Sequence, residues 1–217
     1  MNELCKLKEN YISVKDSCSF GGSQNLFKES KSIFARGKVL GGCGVVALGD
    51  TIAYLLKDTE FDDAEAYRKY FNLIAKRMGF VATKLGMSFI HMYLGAIVLF
   101  QRYGLRHRLL WVFSLKKLYP RVKQMIDNDI PAILCIPKIY GKNRAKRGLP
   151  LYDPETLNVL TGTYGHFVVI TGIYSDDEKM YFEISSWGKK YFIEYGEFVK
   201  FTRRTPAGWL GHMLYIK

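Results

Sequence analysis

The stretch VLGGCGVVALGDTIAYLL, residues 39–56, places Cys43 between glycines at the start of a long apolar run. From Cys43 to Leu56 the apolar residues occur at every helical angle rather than on one side. A helix that is apolar all round is normally buried in the core of its protein. The sequence therefore predicts a buried central helix that carries Cys43 at its start. That position suits either a small core residue or a nucleophile.

The composition is that of one folded domain, residues 1–217, without stabilising metals or disulfides. Hydrophobic residues make up 48% of the chain, which is enough for a sizeable core. The four cysteines are widely spaced and form no C-x-x-C pair, which argues against a zinc site and a disulfide framework. We expect free thiols, a cytoplasmic location and neither metal nor cofactor. The N-terminal residues have no apolar core typical of a secretory signal.

The net charge of +12 raises the hypothesis of a nucleic-acid-binding protein. The basic residues are spread along the chain, however, and no known nucleic-acid-binding motif is present. Their densest cluster, KIYGKNRAKRG at 138–148, is predicted to be an exposed loop that is solvated or attracts an acidic ligand. The longest apolar run, 85–100, is shorter than the roughly 20 residues that span a bilayer. We expect a buried helix there and no membrane span.

Helical patterns follow one another from residue 39 to residue 128. Asp62 and Glu65 have the spacing of a capping box, and Gly79 follows the last periodic residue of that helix. A third, mostly buried helix is predicted over 86–103, in which His91 is interpreted as a core histidine. A fourth begins at Pro120, a residue favoured in the first helical turn.

After Pro131 the patterns become those of strands, and they continue to residue 217. The segments are short, rich in β-branched and aromatic residues, and bounded by turn residues; they are PAILCIP (131–137), HFVVITGIY (166–174), KMYFEISSW (179–187), KKYFIEY (189–195) and GHMLYIK (211–217). Helices first and a mainly antiparallel sheet afterwards indicate an α+β fold.

A catalytic cysteine needs a lowered pKa and a base. The N-terminus of a helix favours the thiolate of Cys43, and Gly44 leaves room for a substrate carbonyl beside the backbone. Among the four histidines, His166 fits the base best, because it opens a strand where a loop enters the sheet. It follows Cys43 by 123 residues, close to the separation of about 130–150 residues in papain-type enzymes.

A third motif, ISSWG at 184–188, completes a resemblance. The sequence contains, in this order, a glutamine before GCG, then GHFVVITG and then SSWGKKYFI. In the order of these motifs it resembles the papain-like cysteine peptidases. It is most similar to the C39-like peptidase domains of Gram-positive bacteria. The resemblance extends over about residues 20–200 and implies a papain-like fold.

The resemblance assigns a role to each matching position. Cys43 matches the nucleophile, His166 the general base and Trp187 the tryptophan that shields the base. Gln24 would supply the oxyanion-hole donor, which requires an insertion between Gln24 and Cys43. The third catalytic position, Asn or Asp in the family, is Ser185 here. Glu183 would share a strand face with Ser185 and could help to orient the histidine, although a cross-strand pair with a lysine is the favoured interpretation.

The resemblance implies a cysteine peptidase or acyl hydrolase that cleaves a peptide or isopeptide bond through a Cys43 thioester. The partner would be a peptide or protein substrate, and the basic charge would suit an acidic one. Ser185 and the displaced Gln24 leave open a second hypothesis, a papain-like fold with an impaired site that binds peptides. A basic nucleic-acid-binding protein is the third.

Overall fold

The computed structural model describes residues 1–15, 19–27, 41–79, 87–139, 148–176, 178–205 and 211–217. Short 3-10 helices cover Gln24–Phe27 and Leu115–Lys117. Five α-helices lie within the described residues: α1 (Cys43–Leu55), α2 (Ala64–Arg77), α3 (Phe89–Arg102), α4 (Leu118–Asp127) and α5 (Tyr195–Arg204).

The strands form one large antiparallel sheet and one small parallel pair. Their bounds are β1 (Asn2–Lys6), β2 (Ser13–Val14), β3 (Glu60–Phe61), β4 (Leu109–Val112), β5 (Ala132–Ile136), β6 (Leu149–Tyr152), β7 (Val159–Thr163), β8 (His166–Asp176), β9 (Lys179–Ser186), β10 (Lys189–Glu194) and β11 (Met213–Ile216). The large sheet has the order β4-β11-β5-β8-β9-β10-β6-β7, and β1 pairs with β8. Strands β2 and β3 form the parallel pair. Mixed helices and antiparallel sheet agree with the α+β prediction.

The helix α1 is buried between the sheet and the two helices α2 and α3. Almost all of its side chains are buried, including Val45, Leu48 and Ile52. It packs on β8 on one side and on α2 and α3 on the other. Because β8 is buried over residues 166–173 and is mostly apolar there, α1 buries apolar surface against the sheet. This contact brings the first residue of α1 close to the first residues of β8.

The helix α2 begins one residue later than the sequence pattern predicted. Asp63, not Asp62, is the N-cap, and its side chain accepts a hydrogen bond from the Ala66 backbone N–H at 2.6 Å. The prediction of a capping box is therefore wrong, since the Glu65 carboxylate instead accepts a hydrogen bond from Arg68 Nε at 2.9 Å. Asp62 instead pairs with Lys15 across the surface.

The split into helices before residue 128 and strands after residue 131 is not clean. Strand β1 pairs with β8, and β4 lies inside the helical segment and pairs with β11. The helix α5 lies inside the sheet segment. Both β1 and β4 are short, and their partners come from the far end of the chain, so local patterns could not reveal them.

Within the described residues, no helix is long and apolar enough to cross a bilayer.

The helix α3 is shorter than predicted and exposes the histidine that was interpreted as a core residue. It begins after the N-cap Ser88 and ends at Arg102. His91 is exposed, and its Nδ1 lies 3.0 Å from Ser88 Oγ. The core interpretation of His91 is therefore wrong, because an imidazole in the first helical turn can reach the N-cap at the surface.

Candidate functional site

Cys43 is the first residue of α1 and is 7% exposed. Burial raises the pKa of its thiol, although the backbone N–H groups of Phe167, Gly44 and Cys43 itself face the sulfur and favour the thiolate. The expected lowering of the pKa by the helix N-terminus is thus outweighed by desolvation. Gly44 lies against Met87 and Met92, so that a Cβ at this position would be 2.6 Å from the Met87 sulfur.

His166 is the first residue of β8 and is buried beside Cys43. Removal from water lowers the pKa of the imidazole to about 4, because burial disfavours its charged form. The Cys43 sulfur lies near the backbone N–H of Phe167, the residue after His166. Among the contacts of the described residues, no hydrogen bond joins that sulfur to the imidazole. At neutral pH this closed form therefore holds a neutral thiol beside a neutral imidazole.

The imidazole has one hydrogen-bond partner among the described residues, and that partner is Ser186. Ser186 Oγ lies 2.8 Å from His166 Nε2. When Nε2 carries the proton and donates it to the serine, Nδ1 keeps a lone pair that can accept a proton. This arrangement is the one that a general base requires.

The predicted orienting residue, Ser185, has a different contact. Its hydroxyl donates a hydrogen bond to the Phe20 backbone oxygen at 2.9 Å. The contact with His166 that was predicted for Ser185 is made by its neighbour Ser186. Neighbouring residues of a strand point to opposite faces, so the two serines of β9 reach different partners. Both line the same crevice as Cys43.

Glu183 does not contact the imidazole either. Its buried carboxylate accepts a hydrogen bond from Thr171 at 2.8 Å and lies 3.2 Å from the Lys190 ammonium group. A second lysine, Lys6, is at 4.0 Å. The suggestion that Glu183 orients His166 is therefore wrong, and the cross-strand pair with a lysine is what the structure contains. Glu183 joins β1, β8, β9 and β10.

Trp187 covers the histidine. Its indole stacks on the imidazole of His166 with the ring centroids 4.6 Å apart and the planes 18° from parallel. Trp187 and Gly188 form the two-residue loop between β9 and β10, with φ of 52° and 75°. Such turns favour Asn-Gly, and a bulky side chain at positive φ is an outlier that costs roughly 1–3 kcal/mol. This strained backbone conformation places the Trp187 indole against the imidazole of His166.

Gln24 reaches the same crevice through a tightly packed glycine pair. A Cβ on Gly21 would lie 1.9 Å from Ser185 Oγ, and one on Gly22 would lie 1.7 Å from the Tyr67 hydroxyl. Gly21 also has a φ of +80°. The backbone thus runs between β9 and α2 where only glycines fit, and Gln24 begins the 3-10 helix that follows. Gln24 lines the crevice together with Cys43.

Asp50 is the residue of this site that sequence reasoning missed. Its buried carboxylate accepts hydrogen bonds from the Gly22 backbone N–H at 2.8 Å and the Tyr67 hydroxyl at 2.7 Å. Burial raises its pKa to about 7. It lies two helical turns after Cys43, on the same face of α1. A lone carboxylate in an otherwise apolar helix was the signal that could have identified it.

The space between these side chains is small. The lining residues come from α1, β8, β9 and the loop before the Gln24 helix, and the cavity volume is about 10 Å³. That is the room of about one water molecule. A substrate carbonyl can therefore reach the Cys43 sulfur only if the covering side chains move.

Among the described residues, no group of three or more His, Cys, Asp or Glu side chains could hold a metal ion. The basic segment predicted at 138–148 lies outside the described residues from 140 to 147.

Comparison with known proteins adds little to this geometry. No family model matches the chain, and no curated protein matches it. One solved structure with a weak likeness is that of the digestive procathepsin L 3 from the larval midgut of Tenebrio molitor. The TM-score is 0.31 at 13% sequence identity, and the match covers 98% of this chain and 68% of that one. This likeness is too weak to assign a fold.

Proposed function

We propose that this protein is a papain-like cysteine hydrolase that cleaves a peptide or isopeptide bond. The observation that carries the proposal is the convergence of Cys43 and His166 on one crevice, from the start of α1 and the start of β8. Ser186 holds the imidazole, and Trp187 covers it. A nucleophile, a base and a group that orients the base are the parts that covalent catalysis needs.

The chemistry follows from these positions. Cys43 Sγ attacks the carbonyl carbon of the scissile amide, and His166 accepts the thiol proton as the carbon–sulfur bond forms. The resulting oxyanion would receive hydrogen bonds from the Cys43 backbone N–H and the Gln24 side chain. His166 then gives its proton to the leaving amine, and the thioester remains. Water, deprotonated by His166, hydrolyses the thioester and regenerates the thiol.

A peptide-binding module is the second candidate, and two observations favour it. A serine is a weaker orienting group than the Asn or Asp of the resembled family. In addition, burial raises the pKa of Cys43 and lowers that of His166, so the resting pair is neutral. A neutral pair reacts more slowly than a thiolate–imidazolium pair, since the thiolate is the attacking species.

Cleavage of a peptide mixture, followed by mass spectrometry, tests the proposal. The unmodified protein should cleave a subset of peptides, while Cys43→Ala and His166→Gln should both abolish that cleavage. Cys135→Ala is the matched control, because Cys135 is a free thiol on β5 opposite Phe167 and should be dispensable.

Alkylation by iodoacetamide provides a second measurement that needs no substrate. Cys43 should react faster than Cys5, Cys18 and Cys135, and His166→Gln should slow the reaction by about tenfold or more. Because its pKa is raised, the rate should still increase with pH above the ordinary thiol value of 9.0. Slow and equal alkylation of all four thiols, together with peptide binding but no cleavage, would favour the binding module.

A further inference from the structure

The basic residues are spread along the chain, but the net positive charge arises in one segment because acidic residues are absent there. Between Ala66 and Ile126 the sequence contains twelve lysines and arginines and no Asp or Glu. These twelve charges equal the net charge of +12 of the whole chain. The segment builds most of α2, all of α3 and β4, and most of α4.

The same segment exposes large apolar side chains on its outer surface. On α3 the exposed residues Ile90, Leu94 and Val98 are four residues apart, and Ile90 and Leu94 are each 54% exposed. Residues four apart share one helix face, so they form a continuous apolar stripe. Phe113, at the end of β4, is 55% exposed and lies beside Phe89, with ring centroids 6.1 Å apart. We call Ile90, Leu94, Val98 and Phe113 the apolar ridge.

Cationic side chains lie next to the apolar ridge in sequence and on the helix that packs beside α3. Arg102 continues the α3 stripe by four more residues, and Lys116 and Lys117 follow Phe113 closely; all three are exposed. The neighbouring helix α2 packs against α3 and exposes Lys69 and Lys76. Within the described part of the chain, none of these five cations has an ion pair. Their charge is therefore available to a partner.

We propose that the outer face of α2 and α3, with the apolar ridge at its centre, docks on the surface of an anionic lipid bilayer. An amphipathic helix binds such a surface by inserting apolar side chains at the level of the headgroups while its cations meet the anionic lipids. Both parts are present here. Exposed apolar patches within a polar surround mark interaction sites, since they cost free energy in water.

A nucleic acid fits this surface less well. Phosphate contacts use cationic and polar groups, and four large apolar side chains would gain nothing from a phosphate backbone. The charge alone would suit either partner, and the apolar ridge favours the bilayer. The proposal is independent of the proposed hydrolase, because Cys43 lies in a buried crevice and takes no part in the docking.

Vesicle flotation with the full chain tests the docking surface. The protein should float with vesicles of phosphatidylcholine and phosphatidylglycerol, and not with vesicles of phosphatidylcholine alone. Leu94→Gln together with Val98→Gln should reduce the bound fraction by about tenfold. Lys116→Glu together with Lys117→Glu should have an effect of similar size. Cys43→Ala should bind like the unmodified protein.

Matched controls come from the opposite end of the sheet and from α5. Leu160 on the edge strand β7 is 55% exposed, and Lys200 on α5 is exposed, so Leu160→Gln and Lys200→Glu change a similar side chain elsewhere. Both control variants should bind normally, and thermal melting should show that every variant is folded. Equal loss in the controls, or no flotation with anionic vesicles, would overturn the proposal. So would tight binding to duplex DNA that the Leu94 and Val98 substitutions leave unchanged, which would indicate a nucleic-acid partner.

Discussion

At the scale of single residues, the two adjacent serines of β9 divide their roles. Ser186 Oγ lies 2.8 Å from His166 Nε2, while the Ser185 hydroxyl donates a hydrogen bond to the Phe20 backbone oxygen. One residue of difference along a strand reverses the direction of the side chain. The resemblance pointed to this turn of the chain, and the serine that contacts His166 is the next one along.

Substituting the two serines in turn should separate these roles. Ser186→Ala should lower the rate of peptide cleavage by about tenfold or more, since the imidazole loses the contact that fixes its tautomer. Ser185→Ala should leave the rate nearly unchanged and should lower the free energy of unfolding by about 1 kcal/mol through the lost hydrogen bond. Steady-state kinetics and urea titration measure the two effects. A large loss of rate in Ser185→Ala with none in Ser186→Ala would contradict the assignment.

At the scale of elements, the loop before the Gln24 helix is held between β9 and α2. Its position depends on the absence of side chains at Gly21 and Gly22 and on the hydrogen bond from Gly22 to Asp50. We infer that this packing places Gln24 at the crevice, so that Asp50 acts as a positioning residue. Gly79, at the end of α2, offers a contrast, because a Cβ there would meet nothing within 4 Å.

Substituting Gly22 and Gly79 should therefore have different consequences. Gly22→Ala creates an overlap with the Tyr67 hydroxyl and should cost about 1–3 kcal/mol of unfolding free energy and most of the cleavage activity. Gly79→Ala strains only a backbone at φ +66° and should cost about 1–2 kcal/mol with normal activity. Calorimetry and peptide cleavage give both quantities. Equal activity in the two variants would show that the glycine pair does not position the site.

At the scale of the whole molecule, two buried groups should make folding stability depend on pH in opposite directions. The pKa of His166 falls from 6.5 to about 4 on folding, so the unfolded chain binds the extra proton between these values and stability rises with pH. The pKa of Asp50 rises from 3.8 to about 7, so the folded chain binds the extra proton and stability falls as pH rises. His166 accounts for about 3 kcal/mol and Asp50 for about 4 kcal/mol, each across its own window. Together they should nearly cancel between about pH 4 and 6.5.

Single substitutions should reveal how the stability contributed by each group changes with pH. In Asp50→Asn the His166 contribution remains, so the urea midpoint should rise with pH across this window. In His166→Gln the Asp50 contribution remains, so the midpoint should fall. Urea titrations at several pH values measure both, with the unmodified protein as the flat reference. Parallel plots of the urea midpoint against pH for the three proteins would show that neither side chain is buried in the folded protein.

Much of the secondary structure was predictable, because it follows from local pattern. The apolar run after Cys43, the periodic face of α2 and the β-branched run after His166 each correspond to an element. The elements that were missed are short or amphipathic segments, namely β1 to β4, β6, β7 and α5. Two of them, β1 and β4, also have partners that lie far away in sequence. His91 shows the same limit at the residue level, since its exposure depends on how α3 packs.

The sequence by itself determined which residues could do chemistry, because a cysteine at a helix start and a histidine at a strand start have local signals. Only the tertiary structure decided that Ser186 holds the histidine, that Glu183 pairs with lysines and that Asp50 anchors the Gly22 loop. Those contacts depend on strand register and on packing between elements distant in sequence. It also decided the protonation states, because burial raises the pKa of Cys43 and lowers that of His166, which disfavours a thiolate–imidazolium pair. Burial is a property of the assembled core, and no short motif encodes it.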